Sequence, residues 1–493
     1  MAAPVVLPTA RYPPAVEVRL VRFVLLRGLG AIYLVAFLSL AVQVLPLIGS
    51  RGLLPAANFL ARVAEAGHAA RLPGLFWIDV SDPVLVGGAW LGVVLAAVVM
   101  FGLANAPMMA ALWFLYLSYV HIGQTWYGFG WETLLLEAGF LGIWLAPPWD
   151  PRPLGADPAP RWVVFLYRWL VLRLMLGAGL IKLRGDACWR DLTCLDTHFE
   201  TQPLPNPLSP WFHALPGWVH HGMVGWNHVV ELILPLWCLG PRPARLVAGI
   251  LMIQFQLTLV LSGNLSFLNW LTIVLCLALF DDGHLARVLP GLARRLPAEA
   301  VAGPLRRGVV YGVVALVAVL SVQPVRNLLS SEQAMNRSFG AWHLVNTYGA
   351  FGSVGSDRDE IILEGTADGV TWREYAFPCK PGDVMRRPCV IAPFQPRLDW
   401  EMWFAALQSP EDHPWLVHLM WKLLQGHPEA VALLDGNPFP DTPPIAVRAE
   451  RYRYRFARGD EPGWWVRERL GPYIRPLSAD DPELVELVEA RGW

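Results

Sequence analysis

Hydrophobic residues arrive in this chain in long blocks, not at the spacing of a soluble fold. Blocks lie at about 22–48, 83–104, 108–123, 130–147, 162–181, 218–239, 244–262, 265–280 and 307–323. Their lengths suit a hydrocarbon layer about 30 Å thick. Turn signals such as Asn105-Ala106-Pro107, Pro147-Pro148 and Gly240-Pro241-Arg242-Pro243 separate them. This pattern predicts an α-helical polytopic membrane bundle of about nine spans. A further stretch, 53–63, has helical apolar spacing and reads as a helix at the membrane interface.

The pattern changes after residue 323. Segments 360–366 and 370–377 flank Ala367-Asp368-Gly369, which predicts a β-hairpin with Asp-Gly at its turn. Val390-Ile391 and the alternating run 451–456 read as further strands, and 400–407 and 414–424 as helices. The expected architecture is therefore a transmembrane domain, 1–323, with a non-cytoplasmic loop at 184–217. A β-rich soluble C-terminal domain with a helical insertion, 324–493, follows it and is large enough for its own core.

Composition agrees. Charged residues make up 16% of the 493, against about 25% in ordinary soluble domains. A net charge of −1 excludes general attraction to nucleic acid; membrane lipid is the expected surrounding partner. The first block is too long for a cleavable signal, so it reads as a retained anchor. With the N-terminus cytoplasmic, Arg11, Arg19, Arg152, Arg161, Arg242 and Arg245 fall inside, together with Arg287, Arg294, Arg295, Arg306 and Arg307. Only Arg51, Arg62, Arg71, Arg184 and Arg190 fall outside, which follows the positive-inside rule. With nine spans, the loop and the C-terminal domain both face outward.

The densest chemistry lies at 177–207. An apolar helix leaves through Lys182 and Arg184 into Asp186, Cys188, Trp189, Arg190, Asp191, Cys194, Asp196, His198 and Glu200. The run Gln202-Pro203-Leu204-Pro205-Asn206-Pro207 cannot be helix, because alternate prolines hold it extended. Lys182 is one of three lysines, with Lys380 and Lys422. The preference for arginine is that of a GC-rich, bacterial genome. An ammonium at position 182 is either incidental or needed as a compact donor or a tunable base. Asp186, Asp191, His198 and Glu200 could act as acid and base, or the loop could simply be folded by salt bridges to Arg184 and Arg190. For Cys188 and Cys194, a disulfide, free thiols and a metal site all stay open, although zinc-type partners are missing. Cys379 and Cys389 read as a second disulfide on the same outer side. Cys238 and Cys276 read as buried hydrophobes.

Inside the spans stand Glu132, Glu137, Arg168, Arg173, His228 and Glu231. A charge at bilayer depth costs about 2.5–3.5 kcal/mol on insertion scales, so these groups need partners. Glu132 or Glu137 is expected to pair with Arg168 or Arg173, as a structural ion pair or as part of a substrate or proton path. His228 and Glu231 share a helix face at i, i+3, a spacing also found in carboxylate-bridged metal sites. A single copy points to packing, and no metal or cofactor is assigned.

Longer motifs carry a resemblance. They are LIGSRGLLPA (47–56), WETLLLEAGFL (131–141), the whole of 177–207, NHVVEL (227–232) and SGNLSFLNWLT (262–272). Beyond the spans come LVNTYGAFGSV (344–354), EGTADGVTWREY (364–375), CKPGDVMRRPC (379–389) and APFQPRLDWEMWFAAL (392–407). Through them the chain resembles the lipase maturation factor family. More remotely, its spans are similar to the membrane module of vitamin K-dependent γ-glutamyl carboxylase. The first resemblance implies a membrane protein that helps exported clients, lipases among them, to fold and assemble. Family members in animals reside in the endoplasmic reticulum membrane; a bacterial member would sit in the plasma membrane. It assigns no catalytic residue. Exposed aromatics would suit client binding, and Trp464-Trp465 is a candidate patch. The competing expectation is an enzyme acting on a lipid or quinone-like substrate, with Lys182 as base or anchor. A redox relay through Cys188 and Cys194 is a third reading, weakened because their spacing is not C-x-x-C.

Overall fold

The computed structural model describes residues 18–493 except Glu299. Arg11, counted above among the inner arginines, lies outside the described residues. The bundle is built from α1 (Arg19–Ala41), α2 (Asp82–Phe101), α3 (Ala106–Ile122), α4 (Gly130–Leu145), α5 (Arg161–Arg184), α6 (Gly217–His228), α7 (Arg242–Ser262), α8 (Leu268–Cys276) and α9 (Pro304–Leu329). Five of these, α1, α2, α5, α7 and α9, are long and apolar enough to cross a membrane. The helix α3 and the segment Leu268–Leu279 are apolar but shorter.

Helix α1 is close-packed against α2: a Cβ on Gly30 would lie 2.6 Å from the backbone nitrogen of Met100. Small residues at such crossings let apolar helices approach where no hydrophobic drive between them exists. The first apolar block does not run on as one helix to residue 48. It ends at Ala41 and resumes as Val44–Ile48. The cause is Gln43, whose amide donates to Ser39 O and Gln395 O while its oxygen accepts from Arg397 N. The stretch expected to lie at the membrane interface forms the helix Ala56–Glu65, starting after Pro55.

Outside the bundle, four antiparallel strands, β1 (Arg358–Thr366), β2 (Trp372–Glu374), β3 (Ala446–Phe456) and β4 (Trp465–Leu477), form a sheet in the order β2-β1-β3-β4. The Asp-Gly hairpin joins β1 to β2. Gly369 takes φ +76°, and the Asp368 carboxylate accepts from Val370 N and Thr371 N. Strand β1 is buried throughout and packs under α10 (Arg397–Leu407), with α11 (Pro414–Leu424) next in the chain. Edge strand β4 carries Pro472, Pro476 and register shifts, which blunt it against adding another strand. Val390-Ile391 is not a strand. Its chain is held instead by Asn264 Oδ1, which accepts from Ile391 N and Ala392 N. Nor is Trp464-Trp465 an exposed patch: Trp465 is buried, stacked on Phe456.

The proline-rich run explains how bundle and outer domain join. Its prolines lack N–H groups and its extended backbone makes no ladder, so its carbonyls point outward unpaired. Arg358, at the start of β1, takes up the first of them, while Asn264 donates to Leu204 O and Pro205 O. Arg358 donates to Glu200 O (2.8 Å), Gln202 O (2.5 Å) and Pro203 O (3.0 Å). Its charge is balanced by Glu360 at 2.6 Å, which Lys380 also reaches at 2.9 Å. Arg358→Leu should therefore destabilise the protein by about 3–5 kcal/mol, the usual cost of breaking a buried pair from one side. Thermal unfolding and proteolysis within 200–207 would read this, and Arg358→Lys should recover only part, because an ammonium lacks the planar fork.

Candidate functional site

The C-terminal half of α5 carries Gly177, Ala178 and Gly179, and Gly177 is required there. A Cβ at this position would lie 2.2 Å from Tyr348 O. One turn further on, Lys182 points into the bundle, buried. Its Nζ lies 2.6 Å from both Glu231 oxygens and 3.2 Å from Asn227 Oδ1, and 5.2 Å from the Trp189 ring centre. Asn227 returns a hydrogen bond to Glu231. Glu231 is placed by a single π-helical turn, Val229–Ile233, between α6 and Leu234–Trp237. Pro235 explains the turn, because its ring would clash with the carbonyl four residues back in a regular helix.

The loop after α5 is not free chain. It folds into short helices, Ala187–Arg190, Leu195–Thr201 and Ser209–His213, and Cys188 is bonded to Cys194 across a Cα separation of 4.7 Å. Cys379 is bonded to Cys389, while Cys238 and Cys276 are free and buried. The candidate acids and bases have separate partners. Asp186 accepts from Val354 N, and Glu200 accepts from Phe456 N with His213 at 3.7 Å. Asp191 is exposed. Arg184 and Arg190 are not the cations for these acids. Arg184 donates to Leu328 O and Gln333 Oε1, and Arg190 caps the end of α5 through Leu183 O and Gly185 O. Trp189 donates to Phe351 O. His228, far from forming a ligand set with Glu231, reaches Trp189 O. Among the described residues no group of three or more His, Cys, Asp or Glu is placed to hold a metal ion.

The span glutamates are paired as expected for one and differently for the other. Glu137 binds Arg173 and also accepts from Asn346 N (2.8 Å) and Tyr348 Oη (2.7 Å). Glu132 does not pair with a span arginine. Its partner is Arg397 of α10, at 2.8 Å, with Tyr116 and Trp131 also on the carboxylate. Arg168 is left to Ala278 O. Sequence order hid the Arg397 pairing, since 265 positions separate the partners.

A cavity of about 1530 Å³ connects these groups. Lys182, Asn227, Glu231, Trp189 and His198 line one part, and Trp400, Glu401 and Phe404 of the outer domain another. Burial, with the positive Lys182 nearby, pushes His198 down to about 4, so its imidazole is neutral. Burial raises Glu401 to about 8, against a smaller opposing hydrogen bond from Thr125. The arrangement encloses and orients more readily than it reacts, because the N–H donors of Lys182 are occupied.

Two family models match the chain: a lipase maturation factor transmembrane domain over residues 20–287 and a lipase maturation factor C-terminal domain over residues 344–475. Lipase maturation factor 1 of Mus musculus is 47% identical, covering 96% of this chain and 89% of that protein. The Homo sapiens protein of the same name is 46% identical over 96% and 90%. Lipase maturation factor 2 of Homo sapiens is 31% identical over 96% and 85%. No solved structure matches.

Glu132→Gln or Arg397→Met alone should cost about 3–5 kcal/mol, because each strands a buried charge, and the double variant should regain most of it. Thermal melts of the four proteins in one detergent test this. Glu401 sets a pH dependence of known sign. Its folded pKa, about 8, lies above its ordinary 4.5, so stability is fully present below pH 4.5 and falls as pH rises towards 8. Glu401→Gln should flatten that slope in urea unfolding at pH 5, 6.5 and 8.

Proposed function

The chain belongs to the lipase maturation factor family, and from this we propose that it assists the folding, assembly or maturation of exported proteins, lipases among them. The observation that carries the reading is the fixed join between the loop at 184–217 and the outer domain. Arg358 grips the proline run, and Arg397 enters the bundle to meet Glu132, so the two parts present one rigid face. A rigid face can hold a partly folded client without ordering itself first.

The protein is an integral membrane protein. We take the topology to be nine spans with a cytoplasmic N-terminus, which puts this face outside the cytoplasm. Both cysteine pairs are bonded, which suits an oxidising compartment. In a bacterial cell this is the outer side of the plasma membrane; for eukaryotic members the equivalent is the lumen of the endoplasmic reticulum. The residues of the loop, from Arg184 and Asp186 to His198 and Glu200, serve here as the scaffold of the face. Trp211 and Trp218, 60% and 77% exposed, replace Trp464-Trp465 as aromatic contacts at its rim. The enzyme alternative draws no support from the relatives matched.

Deleting the gene should lower the activity of secreted lipase without lowering the amount synthesised. Complementation with Trp211→Ser/Trp218→Ser should restore only part of it. Secreted activity and total lipase antigen are the two readouts, and unchanged activity after deletion would count against the proposal.

A further inference from the structure

A two-residue antiparallel ladder, Arg337–Ser338 against Asn346–Thr347, closes a turn in the chain that links α9 to the outer domain. Trp342 at the tip of this turn stacks on Trp113 and Phe114 of α3. His343 follows with φ +49°, a left-handed backbone that a residue with a Cβ keeps where its surroundings hold it. Its ring meets His121, at the end of α3, with 3.2 Å between the two Nε2 atoms. His121 is buried and His343 half-buried.

The two rings belong to a chain of hydrogen bonds with an acceptor at each end. At one end His121 Nδ1 lies 2.8 Å from Pro73 O, a carbonyl, so this nitrogen carries a hydrogen. At the other end is Asn346 Oδ1. The amide cannot be turned over, because its nitrogen faces Thr133 O, His343 O and the Glu137 carboxylate. Ser338 Oγ, 2.5 Å from Asn346 Oδ1, therefore donates to it. A hydroxyl has a single hydrogen, so the contact between Ser338 Oγ and His343 Nδ1 needs a hydrogen on the ring. Each neutral ring has then placed its one hydrogen at Nδ1, and two lone pairs face each other across the 3.2 Å gap. Four contacts need four hydrogens, and two neutral imidazoles with one hydroxyl supply three.

We infer that His121 and His343 share one proton taken from water, and that this proton latches the turn 338–346 to the end of α3. The hydrogen lies between the two Nε2 atoms, and its charge is spread over both rings. The charge acting on His343 is that of His121; Glu137 and Arg173, beyond Asn346, are paired with one another, and Arg337 lies over the Phe339 ring. A metal ion in the same gap would find no third His, Cys, Asp or Glu ligand among the described residues. The latch does not rest on the client reading. Asn346 also meets Glu137 through its backbone N–H, so the latch ties the join of bundle and outer domain to pH.

The pH dependence has two limbs. When the turn is free, each ring titrates at its ordinary value, about 6.5. The closed pair keeps one proton above that pH, where the free turn holds none, so removing it in alkali opens the turn. In acid the free turn takes two protons. Burial and the charge of His121 push the entry of the second proton, at His343, down to about 4, so acid opens the turn as well.

The test follows hydrogen–deuterium exchange of peptides covering 338–347 in the full-length protein in detergent, from pH 4 to pH 9, corrected for the intrinsic rate at each pH. Protection should peak near neutral pH and fall about tenfold on each side, the worth of one charge-assisted hydrogen bond. In Ser338→Ala, His343 is free to carry its hydrogen at Nε2 and donate to His121 as a neutral ring. The alkaline fall should then disappear while protection at neutral pH persists. His343→Gln, whose amide donates to His121 without titrating, should also lack the alkaline fall. Melting temperatures establish that the variants are folded, and either one suffices. Protection that stays level or rises from pH 6 to pH 9 in the unaltered protein overturns the inference, and so does an alkaline fall that survives in the variants. A bound metal ion whose removal by EDTA abolishes the protection overturns it too.

Discussion

Two glutamates on one short helix decide how the molecule is put together. Glu132 and Glu137 of α4 are both buried, and neither can be left bare in a bundle surrounded by hydrocarbon. Glu137 finds Arg173 inside the bundle, but its second oxygen is met by the Asn346 backbone and the Tyr348 hydroxyl. Glu132 is met by Arg397, which begins α10 of the outer domain. The bundle is therefore unsatisfied without the outer domain, and Arg397 is unsatisfied without the bundle. Hydrophobic packing alone would let the two parts slide or separate. Buried charges with one geometrically acceptable partner do not, and this is the strongest reason to regard the parts as one body.

The same logic runs through the loop. A proline run that cannot bond to itself offers its carbonyls to Arg358, and Arg190 and Arg184 close the open end of α5 and the chain after α9. Arginine suits these places because one planar group satisfies several acceptors at once. Lys182 differs. It faces a single carboxylate and an amide, where a compact ammonium fits and a fork would not. The π-helical turn that carries Glu231 towards it depends on Pro235, so the pair is encoded by two distant features of the chain.

Much of this was legible in the sequence. The helical blocks, the Asp-Gly hairpin, the helices at 400–407 and 414–424 and the need of the span charges for partners all follow from periodicity and desolvation. The family motifs marked 177–207 and 227–232, where Lys182, Asn227 and Glu231 meet. What failed had a common cause. The Glu132–Arg397 pair and the grip of Arg358 on residues 200–203 link positions far apart in the chain, and no local pattern reports such contacts. The break after Ala41 was hidden for the same reason, since Gln43 turns to meet Gln395 and Arg397. Trp464-Trp465 misled because two adjacent tryptophans look like a surface patch until the opposite strand, with Phe456, is placed on them.

Two carboxylates of the loop have a structural use in holding the chain together. Asp186 and Glu200 spend oxygens on backbone N–H groups of the outer domain, which is what carboxylates do when they fix one segment to another. His198 lies beside Phe199 and Phe351, and unmet ring nitrogens are not peculiar to it, since Nδ1 of His213 and Nδ1 of His228 are buried without a partner as well.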